Sequence, residues 1–188
     1  MVANSDQLKK YLIENRNIQK DKIKVIYHFA NDPEVPKCKK ISKNIMYAGN
    51  LGTPQNIESF IDTFSKSRKN YKLTIFGSGS QYEKICELSS PHVEVNSYVS
   101  REKLVYLTRE IPYALVSLSS KITVEGFPGK TFDYLKMNKI LIGYSHPESS
   151  LAKFIDKFQL GINIDPNDQD IDIKLNKLED DSFLEQIY

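Results

Sequence analysis

The stretch Glu-Gly-Phe-Pro-Gly-Lys-Thr-Phe-Asp at 125–133 gathers the chemistry-bearing side chains of this chain most densely. Glu125 and Asp133 stand eight positions apart, with Gly126, Phe127, Pro128, Gly129 and Lys130 between them. Pro128 and Gly129 favour a turn, and residues 131–137 read as the helix that follows. One carboxylate then sits on the loop before a helix and the other within its first turns. Carboxylates accept hydrogen bonds from hydroxyls, so the pair suits a polyol. Lys130 and the free backbone N–H groups of the helix start suit an anionic phosphate. Gly126 and Gly129 let the backbone approach a ligand closely. A nucleotide-sugar carries both a polyol and phosphates.

These residues need a framework, and the rest of the chain predicts one. Short apolar runs at 23–27, 44–48, 72–76, 93–96, 113–118, 140–143 and 161–164 read as strands. Amphipathic stretches separate them. Ile57, Phe60, Ile61 and Phe64 share one helical face, with Thr53 as the cap and Pro54 in the first position. Leu151, Phe154, Ile155 and Phe158 repeat the spacing, and both stripes are expected in the core. Shorter helices are expected after Gly79 and after Ser100. Alternating strands and helices predict an α/β fold with a parallel sheet. Ligands bind such sheets beyond the carboxyl ends of the strands. The loops at 49–53, 77–80, 98–100 and 125–130 all fall there, and this convergence predicts a nucleotide site.

Residues 1–36 have a different character. A strand, a helix and a second strand precede a polar stretch with Pro33 and Pro36 that reads as a linker. Val25, Ile26 and Tyr27 would be left apolar and unpaired, so this unit is expected to pack back on the main domain or to self-associate. Every loop assigned to the site lies after Ile41, so removing residues 1–36 is expected to leave the site intact. The acidic run Glu179-Asp180-Asp181 reads as solvated helix surface.

Composition narrows the function classes. The 188 residues fit one domain, or one domain plus a fragment, and 40% hydrophobic residues suffice for a real core. A formal net charge of +2 gives no reason to invoke nucleic acid, and the lysines at 9–10, 37, 39–40 and 43 read as solvated surface. Cys38 and Cys86 make no disulfide framework. With no signal-peptide pattern visible, a cytoplasmic location is expected. No run of 18 apolar residues suggests a membrane span. His28, His92 and His146 lack neighbouring ligands at metal spacing, so no zinc site is expected.

The segment 125–133 resembles the E-x7-E element of retaining glycosyltransferases with the GT-B fold, in the large family 4 group, with Asp133 in place of the second Glu. Tyr-Ala-Gly-Asn-Leu-Gly at 47–52, Phe-Gly-Ser-Gly at 76–79, Val-Ser-Arg-Glu-Lys-Leu at 99–104 and Gly-Ile-Asn-Ile-Asp-Pro at 161–166 extend the resemblance over most of the chain. It implies a Rossmann-like doubly wound parallel sheet, the C-terminal half of a GT-B fold. Residues 1–36 would be a remnant of the N-terminal acceptor domain, 37–43 a linker and 44–188 the nucleotide-sugar donor-binding domain. The chain would be a piece of a longer protein or a natural fragment, with its acceptor domain missing.

The resemblance also assigns roles. Glu125 would face the donor sugar as the catalytic carboxylate, Asp133 would bind the ribose hydroxyls and Lys130 would neutralise the diphosphate. Gly49, Gly52, Gly77 and Gly79 would shape the donor cleft, and Tyr98 and Val99 would flank the base. Asn50 and Gln55 occupy positions where many relatives carry an Arg and a Lys directed at the diphosphate, so two charges are missing. The implied reaction transfers a sugar, with retention, from a nucleotide-diphosphate-sugar, UDP-sugar being favoured, to a glycan or lipid-linked acceptor in bacterial surface polysaccharide synthesis. No cofactor and no obligatory metal are implied, and the full-length protein could lie peripherally at the inner face of the membrane. This chain alone is expected to bind donor and turn over poorly. The alternatives are a non-catalytic nucleotide-sugar-binding subunit that works with a separate acceptor-domain chain, and a nucleotide-sugar epimerase.

Overall fold

The computed structural model describes residues 1–27, 42–123, 127–168 and 170–187. The catalytic candidate Glu125, its neighbour Gly126, and residues 37–41 of the expected linker lie outside the described residues, as do Cys38 and His28.

A six-stranded parallel sheet forms the body of the molecule among the described residues. Its strands are β3 (Asn44–Asn50), β4 (Lys72–Ser78), β5 (Val93–Ser97), β6 (Tyr113–Ser117), β7 (Ile140–Tyr144) and β8 (Gly161–Ile164), in the order β5-β4-β3-β6-β7-β8. The chain winds outward from β3 in one direction and then returns to build outward from β6 in the other. This is the doubly wound, Rossmann-like order, whose switch point lies between β3 and β6.

Alternation along the strands feeds two cores. Ile45 and Tyr47 of β3, with Leu115 of β6, pack among the buried faces of α2 (Ile57–Phe64) and α7 (Ile171–Asn176). Met46 of β3 and Ala114 and Val116 of β6 pack instead with Tyr134 and Met137 from α5 (Lys130–Lys136) and its end, and with Leu151 and Ile155 of α6 (Ser150–Lys157). Each fully buried aliphatic side chain contributes about 1.5–3 kcal/mol, so covering both faces fixes the sheet's register. Serine caps start two of the helices near the sheet's carboxyl edge. Ser100 Oγ accepts from Lys103 N–H at the start of α4 (Arg101–Thr108), and Ser149 Oγ accepts from Ala152 N–H at α6.

Some local expectations change. Thr53 does not cap α2: a 3₁₀ turn, Thr53–Gln55, intervenes, and α2 starts after Asn56, which sits in the left-handed region at φ 51°. Pro54 falls within that turn, where its missing N–H costs nothing. Phe158 is 46% exposed, because α6 ends at Lys157 and the ring sits past the last turn. Glu179 is more than solvated surface; its carboxylate accepts from Lys43 Nζ at 2.6 Å and Lys69 Nζ at 2.9 Å.

The N-terminal unit is a separate two-stranded parallel sheet, β1 (Val2–Ala3) with β2 (Lys24–Val25), crossed by α1 (Asp6–Arg16). It packs against α6. Ser5 Oγ and Ser150 Oγ share a buried hydrogen bond of 3.2 Å, and Lys157 Nζ donates to Asp6 at 2.6 Å.

Candidate functional site

The switch point opens because β3 and β6 part early. They pair only at Ile45↔Tyr113 and Met46↔Ala114. Beyond Met46 the backbone of β3 needs other partners on that side, and Tyr134 provides them. Its hydroxyl donates to Ala48 C=O at 3.0 Å and accepts from Ala48 N–H at 2.7 Å. This bond pins α5 to β3 at the mouth of the crevice. Burial pushes the Tyr134 phenol well above its ordinary value, so the hydroxyl stays protonated and can donate.

Lys130, Asp133, Tyr134 and Met137 follow at i, i+3, i+4 and i+7, so one side of α5 and its end faces the crevice. With Ala48, Gly49, Phe76, Tyr98, Val99, Arg101 and Leu104 they line a cavity of about 280 Å³. Lys130 reaches over the carboxyl edge of β3. Its Nζ lies 3.9 Å from the centroid of the Tyr47 ring, in cation–π geometry. The route exists because residue 49 is glycine. A Cβ there would stand 2.6 Å from the amine, and its φ of +138° disfavours any other residue.

The Lys130 amine is buried and has no hydrogen-bond partner among the described residues. Burial depresses it from the ordinary 10.5 to about 8, while the neighbouring charge of Asp133 pulls the other way. Two other buried hydroxyls, Thr131 Oγ1 and Ser117 Oγ at the end of β6, also lack partners among the described residues. Buried polar groups are normally paired, so an unpaired ammonium on the cavity wall is a candidate partner for an acceptor brought by a ligand.

The sequence-predicted residues separate into groups. Lys130, Asp133, Gly49, Tyr98 and Val99 meet in the cavity, with Tyr98 69% exposed at its rim. Gly77 backs them: a Cβ there would meet Gly49 O at 2.4 Å. Gly79 lies against Asn50 and Leu51, where a Cβ would be 2.5 Å from Asn50 Oδ1, with φ +146°. Asn50 and Gln55 bond each other through Asn50 Nδ2 and Gln55 Oε1 at 3.3 Å, beside Gly52. Pro128 and Gly129 form the turn before α5, and Gly129 faces open space, with nothing within 4 Å of a built Cβ.

Two of the helix-start N–H groups are engaged locally, Thr131 N–H with Pro128 C=O and Phe132 N–H with Gly129 C=O, each at 3.1 Å. Phe127 is 7% exposed and packs away from the cavity among Tyr27, Phe132 and Phe154.

Three contributors were missed by the sequence reading. Arg101, on the first turn of α4, reaches across to Asp133 with Nη2 to Oδ1 at 2.8 Å. Its signal was available: a cation directly after the Ser100 cap, at the sheet's carboxyl edge. Tyr47 and Tyr134 looked like ordinary strand and helix aromatics, and only the fold puts one beneath an ammonium and the other on Ala48.

The sequence profile described as Glycosyl transferases group 1 matches residues 42–180, most of the chain. The chain belongs to this family. Among solved structures, the apo form of the lipopolysaccharide outer core galactosyltransferase WaaB superposes with a TM-score of 0.71 and 21% identity, over 94% of this chain and 52% of that one. Anabaena Alr3699/HepE in complex with UDP-glucose gives 0.72 and 12%, over 99% of this chain and 56% of that one. S. aureus TarM in a complex that includes UDP gives 0.72 and 13%, over 99% and 38%. These similarities establish the fold, a Rossmann-like half of the GT-B architecture. This group 1 chain spans about half the length of the first two structures and less of the third. A search among curated proteins returned no match.

Proposed function

We propose that this chain is the donor-binding half of a retaining glycosyltransferase that uses a nucleoside-diphosphate sugar, with a UDP-sugar as the favoured donor. Membership of the group 1 family supports glycosyl transfer, and structures of similar fold hold UDP or UDP-glucose. The observation that carries the reading is the Lys130 amine: buried, positively charged at neutral pH, on the wall of the switch-point cavity and without a hydrogen-bonded partner among the described residues. A diphosphate placed there would take the charge. In a water-poor site that charge favours the leaving group as negative charge builds on it during glycosyl cleavage. Asp133, held by Arg101, is the candidate acceptor for ribose hydroxyls, and Glu125 the carboxylate facing the donor sugar. The acceptor, a glycan or lipid-linked chain of a bacterial surface polysaccharide, would bind on a domain outside this chain, at the inner face of the membrane. No helix among the described residues is long and apolar enough to cross that membrane.

Calorimetric titration of the chain with UDP and with uridine tests this. UDP binds, and Lys130→Met weakens it by about 1.5–3 kcal/mol, the range for a hydrogen bond to a charged group, while uridine loses much less. No binding of any nucleoside diphosphate at millimolar concentration, or equal losses for both ligands, rejects the donor site.

A further inference from the structure

The side of α5 that turns away from the cavity meets a cluster of rings. Phe127, Phe132 and Phe154 pack with centroids 5.0–5.6 Å apart, and Phe158 lies 4.9 Å from Phe154. The ring that closes this cluster comes from the N-terminal unit. Tyr27 lies 5.1 Å from Phe154, 5.9 Å from Phe158, 6.2 Å from Phe127 and 6.4 Å from Phe132.

Its hydroxyl is anchored as well. Tyr27 Oη donates to Asp6 Oδ2 at 2.9 Å, and Lys157 Nζ donates to the same oxygen at 2.6 Å. Asp6 is the first residue of α1, and Ser5 just before it bonds Ser150 at the start of α6. Tyr27 is therefore held at its hydroxyl by the N-terminal helix and at its ring by the donor domain.

These contacts bracket the binding residues. Phe127 lies three residues before Lys130, and Phe132 lies between Lys130 and Asp133. On a helix, Phe132 projects some 200° around from Lys130, so rings behind α5 and the cavity in front share one short rod. The front is fixed by the Tyr134 hydroxyl on Ala48 and by Arg101 on Asp133. The rear is fixed by the rings.

We infer that residues 1–27 are part of the donor site's framework, with Tyr27 as a positioning residue that sets the approach to α5 and hence the placement of Lys130 and Asp133. This rests on the donor reading for its functional consequence but not for its structural one. It reverses the expectation that the N-terminal unit can be removed without effect on the site.

The test uses the full chain with Tyr27→Phe, Tyr27→Ala and Phe158→Ala. Hydrogen exchange is followed for residues 127–137, with β4 as the internal reference, and UDP and uridine affinities are measured alongside. Tyr27→Phe keeps the ring and leaves both readouts within about twofold. Tyr27→Ala speeds exchange over 127–137 about tenfold while β4 is unchanged, because local opening is released without global unfolding. It also weakens UDP about tenfold, and uridine less than about threefold, since the misplacement falls on the phosphate-binding lysine. Phe158→Ala, which trims a half-exposed ring, gives the same pattern at smaller amplitude and serves if Tyr27→Ala does not fold.

Unchanged exchange at 127–137, or an equal rise there and in β4, overturns the inference, because the cluster is then either irrelevant to α5 or merely a source of overall stability. Should wild-type protein bind no UDP, the donor reading falls, and the exchange measurement still decides whether Tyr27 positions α5.

Discussion

Lys130 and Lys139 stand at opposite ends of α5, and both bury an amine, yet only one of them is given something to hold. Lys139 is 4% exposed and donates to the carbonyls of Thr108 and Ile111, each at 2.6 Å. Thr108 C=O ends α4, where it also accepts from Ile111 N–H at 3.0 Å, and Ile111 C=O lies just beyond, so the ammonium staples that helix end. The Lys130 ammonium has only the face of Tyr47 and the more distant carboxylate of Asp133 among the described residues. The same functional group is a staple in one place and a held charge in the other. Unpaired buried charges cluster where a ligand completes them, and the contrast supports the proposed donor site.

The largest expected effect breaks the staple. Lys139→Met keeps the side-chain volume but removes the Lys139 donor from Ile111 C=O and takes a charge-assisted bond from Thr108 C=O, which keeps only Ile111 N–H at 3.0 Å. We expect a loss of about 3 kcal/mol in urea unfolding, for one carbonyl left unsatisfied and one charge-assisted bond lost. UDP affinity should stay within about threefold, because Lys139 faces α4 and not the cavity. A stability loss below about 1 kcal/mol would remove the distinction between the two lysines from this side.

The same substitution at Lys130 should have the opposite sign. Its amine is about 8 when folded against 10.5 for an ordinary lysine. Below pH 8 both states are protonated, and the folded state bears the full penalty of a buried charge. Between pH 8 and 10.5 the folded lysine is neutral while the unfolded one still binds a proton, so stability rises with pH in that window. Above pH 10 the buried Tyr47 and Tyr134, which burial keeps protonated in the fold, pull the other way as their unfolded counterparts ionise. The clean comparison is therefore pH 7 to 10, wild type against Lys130→Met. We expect the variant to be about 2 kcal/mol more stable at pH 7, and the gap to close as pH approaches 10. A variant less stable than wild type at pH 7 would mean that the amine is satisfied after all.

Much of the frame on which these effects rest is legible in the chain. Apolar runs mark the central strands, because a doubly wound sheet buries both their faces, whereas the edge strand β5 alternates Val93 and Val95 with Glu94 and Asn96. The Pro128-Gly129 turn marks the start of α5 for a local reason, the fixed φ of proline. What is not legible is contact across the switch point. Gly49 and Lys130 are 81 positions apart, and nothing in either neighbourhood says that the amine crosses the glycine. Asn50 and Gln55 read as substitutes for missing cations, whereas the fold turns them toward each other and brings Arg101 to the cavity instead. Phe127 reads as a ligand contact from its place in the motif. Its burial is decided by Tyr27, Phe132 and Phe154, which come from three other elements.

The smallest effect separates ring from charge beneath Lys130. Tyr47 makes two contacts, its hydroxyl donating to Asn50 C=O at 2.6 Å and its ring lying under the ammonium. Tyr47→Phe removes the first and keeps the second, whereas Tyr47→Leu removes both. A cation–π contact of this kind favours the protonated amine by about 1 kcal/mol, equivalent to roughly 0.7 pH unit. UDP affinity should fall as pH rises through the Lys130 titration, so the midpoint of that fall reports the ring directly. We expect the wild-type and Tyr47→Phe midpoints to coincide near 8, and the Tyr47→Leu midpoint to lie about 0.7 unit lower. Reading a midpoint and not a stability sets aside the general cost of the cavity that Tyr47→Leu creates, and any water entering it would ease the desolvation of the amine and raise the midpoint, opposite to the expected fall. Equal midpoints in the two variants would leave Asp133 as the sole group sustaining the charge, and Lys130 would then differ from Lys139 only in how its partner is placed.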